Sequence, residues 1–169
     1  MTSYENEIVQ EKKNIDNIVI FTDGSYMKKK TETLAGIGVY FPNGELVNIS
    51  KKFTVEPITN QRTELYAIYK GIKIIAKNFK FKNIMIYSDS EYSIKSLTIW
   101  IDNWKKNSWK SANGKDVLNQ DIIKKIDKYL VKYKGKIKFQ HVRAHTGKND
   151  DLSKWNDEAD KLAKSGALE

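Results

Sequence analysis

The chain has 169 residues, 40% of them hydrophobic, and carries 30 Lys plus Arg against 21 Asp plus Glu for a net charge of +9. That length suits one domain able to bury roughly two-thirds of its unfolded surface, and the cationic excess favours a polyanionic partner. With no cysteine, disulfide scaffolds, thiolate metal centres and cysteine nucleophiles are excluded, and no apolar run approaches the ~20 residues of a membrane span.

Arg62 and Arg143 are the only arginines. Enrichment in Lys, Ile and Asn also fits a compositionally biased genome, but either origin leaves the charge in place. The lysine bias argues against base-specific reading, because bidentate recognition of guanine is mostly arginine work. The first 17 residues are polar and contain Glu5, Glu7, Glu11 and Asp16, unlike a signal or transit peptide. They are expected to form a short disordered lead over residues 1–16, ahead of a single domain over 17–169. The expectation is a soluble intracellular protein, with cytoplasm and nucleus not distinguished.

Ile18-Val19-Ile20-Phe21 is a short apolar run followed by Thr22 and Asp23, the pattern of a buried strand with a carboxylate at its end. Leu34–Phe41 and Glu45–Val55 flank Pro42-Asn43-Gly44, and Asn-Gly between two β-prone runs signals a hairpin. These three strands are expected to form an antiparallel meander. Over residues 60–79 the period changes. Leu65, Ile68, Ile72, Ile75, Ala76 and Phe79 recur at helical spacing, with Thr59 or Asn60 as N-cap. Ile84–Tyr87 repeats the first pattern, ending in Ser88 and Asp89, and a helix between two strands makes a right-handed crossover with the strands parallel.

Residues 90–110 read as one or two short helices. Residues 116–133 read as an amphipathic helix through Leu118, Ile122, Ile126, Leu130 and Tyr133. Lys136–Val142 reads as a fifth strand, and Trp155, Ala159, Leu162 and Ala163 mark a final helix. The fold class is therefore α/β, with a five-stranded mixed sheet, an antiparallel meander plus parallel strands, flanked by helices.

Parallel neighbouring strands lie roughly 4.8 Å apart, so carboxylates at Asp23 and Asp89 could reach one divalent cation. Glu64, in the first turn of the first helix, and Asp160, one turn after Asn156 in the last, join them by position. Each acid alone also reads as a solvated charge or a helix N-terminal charge. Four together fit hard cations, which take a few carboxylates plus water and phosphate oxygens. Two ions roughly 4 Å apart suit phosphodiester cleavage.

Thr22-Asp23-Gly24-Ser25, Thr59-Asn60-Gln61-Arg62-Thr63-Glu64-Leu65, Ser88-Asp89-Ser90, Val142-Arg143-Ala144-His145-Thr146-Gly147 and Asn156-Asp157-Glu158-Ala159-Asp160-Lys161-Leu162-Ala163 resemble, in order and spacing, the motifs of the ribonuclease H family. Trp100–Lys115 resembles the basic protrusion of its cellular type 1 branch. The resemblance implies a ribonuclease H-like fold and an endonuclease that hydrolyses the RNA strand of RNA–DNA hybrids, leaving 5′-phosphate and 3′-hydroxyl ends. It implies two Mg²⁺ ions, with Mn²⁺ as an alternative, held by Asp23, Glu64, Asp89 and Asp160. His145 would assist proton transfer or product release from a mobile loop; its other reading is an ordinary loop histidine. His141 is expected to pack or to face solvent.

The same resemblance assigns Gly24, Ser25, Asn60 and Gln61 to the RNA strand, whose 2′-hydroxyl must be sensed to spare DNA; Asn60 also reads as a helix cap. It assigns Thr59, Tyr92, Trp100, Trp104 and Asn119 to the DNA strand. Residues 95–115 hold five lysines and one acid. Trp100 and Trp104 share a helix face, which suits either core packing or a groove for bases and sugars. The chain departs from the pattern at Pro57, where many relatives place an arginine near the phosphate pocket, so that grip is expected to be weaker or to use a lysine. Asp150 and Asp151 are expected to alter the mobility of the His145 loop.

The partner is expected to be an RNA–DNA hybrid bound by a monomer, with no membrane involved. The lead is too short for the N-terminal hybrid-binding domain that many eukaryotic relatives carry. The rival readings are a catalytically silent hybrid-binding module, another nuclease of the same superfold such as a resolvase or exonuclease, and a domain of a reverse transcriptase.

Overall fold

The computed structural model describes residues 11–169. Five strands form one mixed sheet in the order β3-β2-β1-β4-β5, comprising β1 (Lys13–Lys28), β2 (Thr33–Tyr40), β3 (Ile49–Lys52), β4 (Phe79–Ser88) and β5 (Ile137–His141). The meander β1-β2-β3 is antiparallel, and β1-β4 and β4-β5 are parallel. Five α-helices complete the fold: α1 (Asn60–Asn78), α2 (Glu91–Lys95), α3 (Ile101–Lys106), α4 (Gln120–Lys132) and α5 (Asp151–Ala167), with a π-helical turn, Ser96–Trp100, joining α2 to α3.

Both faces of β1 are covered where the acids lie. On one face Ile18 and Ile20 meet the apolar stripe of α1, with Leu65, Ile68, Ile72 and Ile75 all fully buried. On the other, Phe21 packs with Ala159 of α5, stacks on Tyr87 at 4.6 Å and takes the edge of Trp155 at 5.7 Å. A helix packs onto β2 because two residues there lack side chains. A Cβ on Gly36 would lie 2.3 Å from the Ala163 carbonyl oxygen, and one on Gly38 would lie 2.4 Å from that of Ala159. Glycine is thus required for α5 to lie against the strand backbone, and this contact sets where Asp160 stands.

Several expected boundaries shift. The first ten residues of the expected lead lie outside the described residues, whereas Lys13–Asp16 already belong to β1, with Lys13 paired to Phe79 and Ile15 to Phe81. The expected strand at Glu45–Val55 shrinks to Ile49–Lys52. Its turn is wider than a two-residue hairpin, closed by the Gly44 amide donating to the Phe41 carbonyl at 3.1 Å and the Phe41 amide donating to Asn48 Oδ1 at 2.8 Å. Phe79 leaves the helical stripe and opens β4, its extended backbone ending α1. The helix expected from residue 116 begins at Gln120, because Asn119 is left-handed (φ 64°), and Leu118 is 75% exposed rather than on the buried stripe.

Candidate metal centre and nucleic-acid interface

The last parallel pair between β1 and β4 is Thr22 with Ser88, so the next residue on each strand is an aspartate. Asp89 stands just past β4. Asp23, expected at a strand end, is instead inside β1, which runs on to Lys28 beside β2, with Asp23 opposite Gly38. Glu64 falls just beyond the first turn of α1, which contains no acid. One carboxylate oxygen from each of Asp23, Glu64 and Asp89 lies within 4.8 Å of the others.

Two local devices bring Glu64 there. Thr59 caps α1, its side chain accepting the Arg62 amide at 3.2 Å. Gly24 allows the start of α1 to rest on β1, since a Cβ there would lie 2.2 Å from Thr63 Oγ1 and 2.6 Å from the Glu64 nitrogen. Gly24 therefore builds the site by what it lacks.

Burial dominates the electrostatics of the three acids. Asp23 is 3% and Glu64 7% exposed, and one Glu64 oxygen has no hydrogen-bond partner among the described residues. Desolvation first, and then the charges of Glu64 and Asp89, push the Asp23 carboxyl far above the usual carboxylate range. Glu64 is pushed up by burial and then by Asp89, and Asp89 by burial, partly offset by hydrogen bonds from Asn156 and Asp23. Repulsion and desolvation of this kind are relieved by a cation among the oxygens. Converging hard oxygens, one of them unpartnered, fit a divalent ion.

Asp160 is not one of the three converging acids. One of its carboxylate oxygens lies 2.9 Å from the Lys164 ammonium. It is nevertheless close enough to contribute to the raised pKa of Glu64, after burial and Asp89. His145 is exposed in the turn after β5 with a left-handed backbone (φ 50°), and its charge acts on Asp89, behind burial and the other acids. Asp150 and Asp151 serve α5 rather than the loop alone. Asp150 is the N-cap, accepting the Ser153 amide at 2.8 Å, and Asp151 lies in the first turn.

Three residues named in the sequence carry site contacts that the sequence did not assign to them. Asn156 is 2% exposed and its amide nitrogen reaches to 3.5 Å from Asp89 Oδ2; its place four residues before Asp160 on one helix face was the available signal. His141 Nε2 lies 3.2 Å from the Asp89 carbonyl oxygen, tying β5 to the turn after β4. Arg62, 2% exposed, donates twice to Asp121 at 2.8 Å and once to the Glu56 carbonyl at 3.1 Å, locking α1 to α4.

Beyond the acids, polar and aromatic groups form a continuous surface. The Asn119 amide donates to the Tyr92 hydroxyl at 2.9 Å and approaches Gln61 at 3.5 Å. The ring centroids of Tyr92 and Trp100 are 6.1 Å apart, and those of Trp100 and Trp104 5.9 Å. A groove of about 410 Å³ runs from Gln61 past Tyr92 and Trp104 to Lys115, and another of about 540 Å³ lies between Trp100, Trp104, Lys106 and Lys110. Trp109 is set apart, with a left-handed backbone and the Lys124 ammonium 5.1 Å from its ring. Thr59, Asn60 and Ser25 stand at the α1 N-terminus and on β1 near the acids.

A family model described as RNase H matches residues 15–168. The chain is 43% identical over 134 residues to a probable ribonuclease H of Acanthamoeba polyphaga mimivirus, covering 78% of this chain and 58% of that protein. It is 33% identical over 153 residues to ribonuclease H1 of Mus musculus, covering 90% and 50%. The chain thus spans about half the length of the curated relatives it matches first. Among solved structures, the solution structure of the PFV RNase H domain superposes with a TM-score of 0.73 at 26% identity, covering 89% of this chain and 94% of that one.

Proposed function

The chain belongs to the ribonuclease H family, and from that premise we propose that it is an endonuclease that hydrolyses the RNA strand of RNA–DNA hybrids. Its eukaryotic relatives and others are consistent with the cellular type 1 branch. The observation that carries the reading is the convergence of Asp23, Glu64 and Asp89 within 4.8 Å, beside a lysine- and tryptophan-bearing surface.

In this reading Asp23, Glu64 and Asp89 would hold divalent cations, two Mg²⁺ ions, with Asp160, now paired with Lys164, as a further ligand. Bound there, the ions would supply Lewis-acid stabilisation of phosphate charge and lower the pKa of a water. The chain's own residues do the rest. Rigid strand and helix backbone holds the three acids in place, so that little reorganisation is needed when substrate arrives. Asn156 orients Asp89. His145, on its exposed turn, takes or delivers a proton near the leaving oxygen, giving 5′-phosphate and 3′-hydroxyl ends.

Asn60 and Gln61, on the first turn of α1, lie where a strand entering the site must pass and can hydrogen-bond a 2′-hydroxyl, as can Ser25 and the Gly24 backbone. Tyr92, Trp100 and Trp104 offer faces to the sugars and bases of the DNA strand, and Thr59 and Asn119 offer donors to one of its phosphates. Lys106, Lys110 and Lys115 supply the charge around them. Recognition rests on shape rather than on sequence. The protein acts as an intracellular monomer; among the described residues no helix is long and apolar enough to cross a membrane.

The test compares cleavage of RNA–DNA, RNA–RNA and DNA–DNA duplexes with and without Mg²⁺. Cleavage confined to the RNA of the hybrid and requiring the ion is expected. Equal cutting of DNA–DNA duplex would overturn the assignment.

A further inference from the structure

A sizeable cavity lies remote from the acids in its lining. It is a groove of about 590 Å³ between β3 and the C-terminal half of α1 and shares no residue with the metal centre. Its floor is aliphatic, made of Ile37, Ile49, Val55 and Ile74, with Tyr66 on one wall. Its rim carries Lys51, Lys52, Lys70, Lys73 and Lys77. Five lysines among eleven lining residues exceeds the 28 in 169 of the whole chain, and the lining contains no acid. Among the described residues Lys51, Lys70, Lys73 and Lys77 form no ion pair with a side-chain carboxylate, and Lys52 donates to a backbone oxygen of Glu169, the last residue, at 3.2 Å.

An apolar floor inside a ring of cations, four of them without a carboxylate partner among the described residues, fits a ligand that brings both acids and apolar side chains. Nucleic acid matches it less well. Bases stack on open aromatic faces. The one aromatic ring here is packed against Phe53 at 5.2 Å and Tyr69 at 5.5 Å, with the Lys70 ammonium 5.9 Å from its centre. The groove also lacks arginine, the residue best suited to bidentate phosphate recognition. Aliphatic side chains are what the floor accommodates. We propose that the lysine-rimmed groove between β3 and α1 docks an acidic, apolar-bearing peptide segment of a partner protein. Its carboxylates meet the lysines and its apolar side chains fill the floor.

The occupant approaches from the β3 side of the sheet, because β3 is the terminal strand among the described residues. A tether there leaves the acidic cluster open, so a docked partner would bring the nuclease to its substrate without blocking it, raising the effective concentration of enzyme at the site.

Fluorescence anisotropy with a fluorescein-labelled synthetic peptide that intersperses glutamate with leucine and phenylalanine tests this on the full chain. The groove predicts saturable binding, weakened about tenfold or more in both K70E/K73E and K51E/K77E. Circular dichroism of both variants should match wild type. A polyglutamate peptide of equal length should bind at least several-fold more weakly, and oligothymidylate should not displace the labelled peptide. The proposal fails if the peptide does not saturate, if both charge-reversal variants bind as wild type, or if polyglutamate matches it. Displacement by oligothymidylate would assign the groove to nucleic acid and would equally overturn it.

Discussion

A single missing side chain does as much for the candidate site as the carboxylates themselves. With Gly24 replaced by alanine, the new Cβ would press on Thr63 Oγ1 and on the backbone of Thr63 and Glu64, and backbone yields less readily than a flexible side chain. Gly24→Ala is expected to cost about 1–3 kcal/mol of stability and to lower cleavage by displacing Glu64, both measurable by urea denaturation and a hybrid-cleavage assay. The buried Arg62 guanidinium is matched by a half-exposed carboxylate, and hydrogen bonds from Arg62 hold Asp121 below the usual carboxylate range. An acid with a depressed folded pKa contributes stability that is fully present above its unfolded pKa and is lost as pH falls through the folded one. The stability difference between wild type and Asp121→Asn should therefore be constant from about pH 5 to about pH 8 and shrink below about pH 4. A difference unchanged at acid pH would show that the pair contributes nothing through its charge. Asp23, Glu64 and Asp89 were readable from sequence as candidates because each follows or opens a periodic segment. Asn156, Arg62 and the role of Gly24 were not, since buried partners and close approaches have no periodic signature.

At the scale of elements, helices and strands with strong apolar periods emerged where expected, and the boundaries moved for local reasons. Asn119 stops α4 from reaching back to residue 116 because its backbone is left-handed. The Val117 amide donates to the Trp109 carbonyl at 3.0 Å, and Lys110 forms a β-bridge with Asp116, so residues 107–118 form a looped protrusion. No periodicity announces such a loop. The tryptophans divide accordingly. Trp100 is 37% exposed beside Tyr92 and Trp104, whereas Trp109 packs on the core beneath Lys124. Trp100→Ala should weaken hybrid binding by about 1–3 kcal/mol with little change in melting temperature. Trp109→Ala should do the reverse, losing about 1–3 kcal/mol of stability, since its side chain is partly buried. Binding by anisotropy and unfolding by calorimetry separate the two; a Trp100 variant that melts early but binds normally would make that side chain structural.

For the whole molecule, the parallel register of β1 with β4 and the packing of α1 and α5 on opposite faces turn four distant sequence positions into one neighbourhood. The mixed sheet, a meander plus parallel strands, was legible from the Asp-ended runs and the crossover helix, but the full order of strands was not, since nothing local in the sequence sets β5 beside β4. The glycine contacts that admit α5 to β2 were not, because they depend on which backbone meets which. The charge of +9 predicts a global property. With roughly four phosphate contacts, hybrid affinity should fall on the order of a hundredfold between about 50 mM and about 200 mM salt; a flat salt response would remove phosphate contacts from the account. The proposed activity depends on cations binding among the acids. Calorimetric titration of Mg²⁺ into wild type, Asp23→Asn and Asp89→Asn, with hybrid cleavage followed on the same samples, tests that most directly. Wild type should bind the ion and cleave, and both folded variants should lose binding and cleavage together. A variant that cleaves at the wild-type rate would contradict it.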